Sequence, residues 1–100
     1  MADTLWIHYA LPRTAWYTLD EAEQRAARER WAAVREASLA AGATTTGPYT
    51  VRGQSDYSTA EVWTFADADA AWDHWERLTA AGYARWFETA NNLGTRAGAS

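Results

Sequence analysis

The chain has 100 residues, 48% of them hydrophobic and 22% charged, the profile of a single globular domain able to bury most of the surface its unfolded chain exposes. It contains no Cys and no Lys, all nine basic residues being Arg, which excludes disulfides, thiolate nucleophiles, Cys metal sites and lysine Schiff-base or general-base chemistry. Net charge is −4 with the Arg residues scattered, which argues against a nucleic-acid surface.

In chain order, the first element is "TLWIHYAL" at 4–11. It alternates as a strand, Leu5, Ile7, Tyr9 and Leu11 pointing one way and Thr4, Trp6, His8 and Ala10 the other. Pro12 ends it, having no N–H for a ladder. "TLDE" at 18–21 reads as a capping box on Thr18 and Glu21, opening a helix that runs to about Ala41, where Gly42 stops it. Its buried stripe is Ala27, Trp31, Val34, Ser38 and Ala41. Ser38 is expected to bond back to the Val34 carbonyl, and Arg28, Arg30 and Arg35 are expected to cover the solvated side with Glu23.

Residues 43–52 are Thr-rich, and Gly47-Pro48 marks them as a kinked edge strand. After a turn at "GQSD" (53–56), "STAEVWTF" (58–65) forms a further strand. A second helix follows, with Asp67 as N-cap and Gly82 at its stop. Its stripe is Ala68, Ala71, Trp75 and Leu78, with Trp72 and His74 on the two shoulders. "AAGYARWFETANNLG" (80–94) fits both a helical stripe and an alternating strand. Leaving it helical would expose the first strand as an apolar edge, which native sheets avoid. It is therefore expected to make a short helical turn at 83–85 and a closing strand from Trp86 to about Leu93.

The resulting order, βαββαβ, specifies an α+β, ferredoxin-like domain with a four-stranded antiparallel sheet. One domain spans 1–100, with a core at about 4–94 and a frayed tail at 95–100. No apolar run approaches the roughly 20 residues of a membrane span, and no signal peptide is evident, so a cytoplasmic location is expected.

Such a sheet is covered by helices on one side. Leu5, Ile7, Tyr9 and Leu11 suit the covered side. Glu61 beneath helices would be an unpaired buried charge costing several kcal/mol, which assigns Ala60, Val62 and Thr64 to the helices. The open side then carries Trp6, His8, Glu61, Trp63 and Phe65. An apolar patch of that kind calls for a second copy, and a homodimer packed sheet to sheet is expected.

Three segments together, "TAWYTLDEAEQRA", "EVWTFADADAAW" and "GYARWFETANNLG", resemble an uncharacterised bacterial family of single-domain proteins in the dimeric α/β-barrel superfamily. The resemblance covers roughly residues 4–94 and implies the fold and dimerisation. The wider superfamily includes cofactor-free monooxygenases and polyketide cyclases of secondary metabolism, haem-degrading monooxygenases, peroxidases and plain ligand-binding proteins. In its haem-degrading branch a Trp on the second helix and a later His belong to the haem site. Trp72 falls at the first position, but the later one lies near Gly82 and carries no His, and His74 is displaced around the helix. Haem is therefore a minority reading.

The candidate chemistry rests on His8 and Glu61. A carboxylate within hydrogen-bond reach would fix the imidazole tautomer and raise its basicity, making a general base for an acidic carbon or phenol. Trp6 and Trp63 would wall a site for an aromatic or polyketide-like molecule, joined by Phe65, Trp72, His74, Tyr49, Trp86 and Asn91. No metal is expected, since the two His and the carboxylates have no ligand spacing. Without a Gly-rich phosphate loop, no flavin or nicotinamide cofactor is expected either. Two functions remain open: a cofactor-free enzyme of the monooxygenase, cyclase or isomerase kind, and a non-catalytic dimeric module for a small hydrophobic ligand or a protein.

Overall fold

The structure, a computed structural model, describes residues 3–53 and 56–96. Strand β1 spans Thr4–Pro12, helix α1 Glu21–Ala40, β2 Thr44–Thr50, β3 Thr59–Phe65, α2 Ala68–Ala80, the single turn α3 Tyr83–Trp86, and β4 Phe87–Thr95. The four strands form one antiparallel sheet in the order β2-β3-β1-β4. This is the ferredoxin-like arrangement the element order implies. β4 pairs with β1 along its whole length and runs past Leu93 to Thr95. Of the expected turn at 53–56 and tail at 95–100, residues 54, 55 and 97–100 lie outside the described residues. Among those described, no helix is long and apolar enough to cross a membrane.

Local signals account for most boundaries. Asp67 caps α2 by accepting from the Ala70 amide at 2.8 Å, and Gly42 and Gly82 end the two long helices in the left-handed region open to glycine. The first capping box sits two residues later than expected. Asp20, not Thr18, accepts from the Glu23 amide at 2.8 Å, and Glu23 reaches back to the Asp20 amide. Thr18 instead closes a short 3-10 helix at Thr14–Thr18, its hydroxyl donating to the Ala15 carbonyl. The sequence contains two overlapping boxes, and the acidic one wins because a carboxylate also favours the positive end of the helix dipole. β2 is an edge strand, and its register against β3 shifts between Thr46 and Tyr49, around Gly47 and Pro48.

The two sides of the sheet are exchanged relative to expectation. Thr4, Trp6, His8 and Ala10 are the buried residues of β1 and lie under the helices, with Trp63 and Phe65 from β3. Leu5, Ile7, Tyr9 and Leu11 share the uncovered side with Ala60, Val62 and Thr64. The set Trp6, His8, Glu61, Trp63 and Phe65 does share one face, but that face is the covered one. The physical reason is Arg35. It reaches from α1 to pair with Glu61 at 2.7 Å, so the carboxylate beneath the helices is compensated.

Two aromatic clusters fill the space between helices and sheet. One gathers Trp6, Trp63, Phe65 and Ala71; the other gathers Trp16, Ala27, Trp31 and Leu78 and extends to Tyr83, Trp86 and Phe87. Trp31 is the anchor its position on the stripe implies, and its indole N–H donates to the Ala81 carbonyl at 3.0 Å.

Candidate functional site

Between the two clusters the packing is incomplete. A cavity of about 470 Å³ opens between the sheet and the helices, with Trp6 and His8 from β1, Glu61 and Trp63 from β3 and Trp31 and Arg35 from α1 on its walls. α2 contributes His74 and Leu78, and the final segment contributes Tyr83 and Phe87. A half-open space of this size with mostly aromatic walls and a few polar groups suits a small organic molecule.

His8 sits in the middle strand, its position fixed from both neighbours. Asn91, its register partner on β4, places Oδ1 2.6 Å from Nδ1, while the Tyr83 hydroxyl lies 3.1 Å from Nε2. An amide oxygen only accepts, so Nδ1 carries the proton and Nε2 accepts from the phenol. Burial lowers the proton affinity of His8, partly offset by the Asn91 bond and the nearby Glu61 charge. The ring is therefore a neutral imidazole with its basic nitrogen toward Tyr83. Burial, reinforced by the Glu61 charge, pushes the Tyr83 phenol well above its ordinary range, so it stays protonated.

Glu61 is the register partner of His8 on β3, yet the expected bond between them is replaced. Its Oε1 accepts from Arg35 at 2.7 Å and from the Trp63 indole at 3.2 Å, and Arg35 lies over the Trp63 ring at 5.5 Å. The tautomer-fixing role assigned to Glu61 is filled by Asn91, and Glu61 acts on His8 through its charge.

His74, read as a shoulder residue, is buried and faces the sheet, on the cavity wall. Its ring lies 4.6 Å from Trp63 and 5.1 Å from Trp6, centre to centre. Ser38 approaches its Nδ1 to 2.5 Å and accepts from Arg77 at 3.0 Å, in place of the expected bond back to Val34. Burial, with help from the Arg77 and Arg35 charges and from nearby His8, lowers its pKa to about 4.

The remaining candidates divide. Trp6 and Trp63 wall the cavity. Asn91 reaches it through His8. Phe65 lies behind the wall, stacked on Trp63 at 5.5 Å. Trp72 is exposed on the other side of α2, in a shallow groove with Leu93. Trp72 and His74 therefore do not converge, and the haem constellation considered above is not assembled. Tyr49 is exposed at the uncovered side beside Ala60, and Trp86 packs on Trp16 under Arg85. Among the described residues no three His, Cys, Asp or Glu side chains gather to hold a metal.

Sequence reasoning missed Arg35, Leu78 and Phe87 as wall residues and took Trp31 as core alone. The signal for Arg35 was present: it falls four residues after Trp31 and three before Ser38, on the stripe that faces the sheet.

By sequence, no known family and no curated protein matches the chain. By structure, it is similar to mutant chlorite dismutases from Candidatus Nitrospira defluvii, one with a TM-score of 0.74 at 15% identity over 92% of this chain. The chain spans only 39% of the length of that protein. It is also similar to a mutant of SnoaB, a cofactor-independent oxygenase from Streptomyces nogalater, with a TM-score of 0.54 at 14% identity, covering 95% of this chain and 93% of that one. The de novo designed protein Foldit4 matches with a TM-score of 0.57 at 11% identity, over 96% and 99% of the two chains. These likenesses establish the fold, ferredoxin-like as in the dimeric α/β-barrel proteins. That a designed protein shares it shows how little the fold alone says about chemistry.

Proposed function

We propose that this protein is a small-molecule enzyme of the dimeric α/β-barrel type, binding an aromatic or polyketide-like substrate in the tryptophan-walled cavity. It acts by general base catalysis, in the manner of a cofactor-independent monooxygenase or cyclase. The observation that carries this reading is His8: a buried, neutral imidazole, held at Nδ1 by Asn91 and turning Nε2 toward the Tyr83 hydroxyl. A substrate that displaces the phenol meets that basic nitrogen directly, and the Glu61 carboxylate stabilises the imidazolium formed when a proton is taken. Trp6, Trp31 and Trp63 keep water from the carbanion or phenolate. The likeness to SnoaB, a cofactor-independent oxygenase, supports the same reading.

The working unit in this proposal is a cytoplasmic homodimer formed through the uncovered side of the sheet. Leu5, Ile7 and Val62 form an apolar surface there, beside Tyr9, against which Tyr57 packs at 6.0 Å.

Anthrone, a tricyclic ketone with an acidic C–H, is a suitable probe. Binding is read from quenching of tryptophan fluorescence and turnover from oxygen uptake. His8→Ala is expected to bind the probe, keep its oligomeric state and lose turnover by roughly 10²–10⁴-fold. Retained turnover together with a loosened dimer would sink the general-base reading of His8 in favour of a structural histidine. A haem absorbance band in the purified protein would overturn the cofactor-free mechanism.

A further inference from the structure

The mechanism above leaves His74 without a task, although it is buried and lies on the cavity wall. Its hydrogen bonds define what it can do. Ser38 Oγ accepts from Arg77, because a guanidinium only donates. The serine hydrogen then has a single acceptor in hydrogen-bond reach among the described residues, the His74 Nδ1 at 2.5 Å. His74 therefore accepts at Nδ1 and carries its proton on Nε2. Nε2 has no partner among the described residues, yet no buried side-chain nitrogen or oxygen there is left unsatisfied. The N–H is thus not sealed off, and the ring that carries it lines the cavity.

His8 has the reverse arrangement, with the proton on Nδ1 and an accepting Nε2. Both rings lie against the same indole, His8 stacked on Trp6 at 5.0 Å and His74 edge-on at 5.1 Å. One cavity therefore offers a hydrogen-bond acceptor and a hydrogen-bond donor, each set by neighbours outside it. The charged residues on its wall are Arg28 and Arg35 against Glu61 alone, a balance that favours an anion.

We propose that His74, held in one tautomer by Ser38 and Arg77, donates Nε2–H to the oxygen of an enolisable ketone, while His8 takes the proton from the adjacent carbon. This rests on the general-base reading of His8 and narrows its substrate class from aromatic molecules at large to aromatic ketones with an acidic α-C–H. In the step, the C–H bond breaks and the proton passes to His8 Nε2. The electron pair moves through the carbonyl to oxygen, and the enolate oxygen is held by His74. Return of the proton to carbon or oxygen completes an isomerisation or exchange that needs no oxidant. His74 is here a catalytic residue and Ser38 a positioning residue.

The test uses 2-tetralone, a fused-ring ketone, against tetralin, its hydrocarbon counterpart, with affinity read from tryptophan fluorescence. Wild type is expected to prefer the ketone by roughly three- to tenfold, the value of one hydrogen bond. His74→Phe is expected to bind both equally, and His74→Gln, which keeps an N–H, to recover part of the preference. Long-range ¹H–¹⁵N NMR of the wild-type protein should show His74 as the Nε2–H tautomer and His8 as the Nδ1–H tautomer. Ser38→Ala should mix the His74 tautomers, and Ser38→Thr should restore them. An absent ketone preference, a preference that survives His74→Phe, or an Nδ1–H tautomer at His74 overturns the proposal. Exchange of the 2-tetralone α-protons in deuterated water tests the His8 reading separately. If wild type prefers the ketone but exchange is no faster than in His8→Ala, the base fails while the donor stands.

Discussion

Glu61 survives beneath two helices because one oxygen collects both an arginine and an indole N–H. The pair is only half-buried, so its main consequence is what happens when one member is removed. Arg35→Ala should destabilise the fold by about 1–2 kcal/mol in urea unfolding, the cost of leaving a partly buried carboxylate with the Trp63 indole as its remaining donor, and Arg35→Ala/Glu61→Gln should recover part of that. His74 gives a pH signature. Its pKa of about 4 lies below the ordinary 6.5, so between these values the unfolded chain binds more protons than the folded one. Its contribution is present in full above pH 6.5 and is lost as pH falls toward 4, on the order of 3 kcal/mol by the end of that window. The groups that set this affinity are Arg77, His8 and Arg35 opposing the charge and Asp73 favouring it. Urea midpoints should fall through this window in wild type, and more shallowly in His74→Gln. Equal slopes would place His74 in contact with water. At this scale the sequence was legible for His8, Trp6 and Trp63 as one set and illegible for their partners. Arg35 and Glu61 are 26 residues apart, Ser38 and His74 36, and no local pattern announces such pairs.

Along each element, periodicity named which residues stand together and left open what covers them. β1 is apolar on both sides, with Leu5, Ile7, Tyr9 and Leu11 on one and Trp6 and Ala10 on the other. Alternation is therefore satisfied by either orientation, and a hydrogen-bonded His8 costs little inside. The long helices and the closing strand were legible because caps, left-handed glycines and the unprotected edge of β1 act locally or by exclusion. Capping was half legible: "TLDEAE" holds two boxes and the structure uses the second. Asp20→Ala should cost about 1 kcal/mol of stability, and Thr18→Ala less than half of that, by thermal or urea unfolding. A larger effect at Thr18 would reassign the cap. Gly47 is as constrained as any residue here. Its φ is +95°, and a Cβ would meet the Tyr49 ring at 3.0 Å and the Ala60 carbonyl at 3.1 Å. Gly47→Ala should destabilise by about 1–2 kcal/mol, from the strained backbone and the crowded bulge together.

For the molecule as a whole, turning the sheet over leaves the argument for a second copy in place and changes its residues. Ile7 and Val62 face each other across β1 and β3 at the centre of the uncovered side. Ile7→Glu is expected to give a folded monomer, with native mass spectrometry showing a dimer only for wild type. A monomeric wild type would remove the dimer from the proposal without touching the cavity. The sheet order carries a different consequence, concerning the order of events in folding. Its first strand finds its last only when residues such as His8 and Asn91, 83 positions apart, come together. Tyr83, Phe87 and Asn91 all arrive with that closing segment. The longest-range pairing in the sheet is thus also the one that completes the site, and the base of His8 is committed only when the closing segment docks on β1.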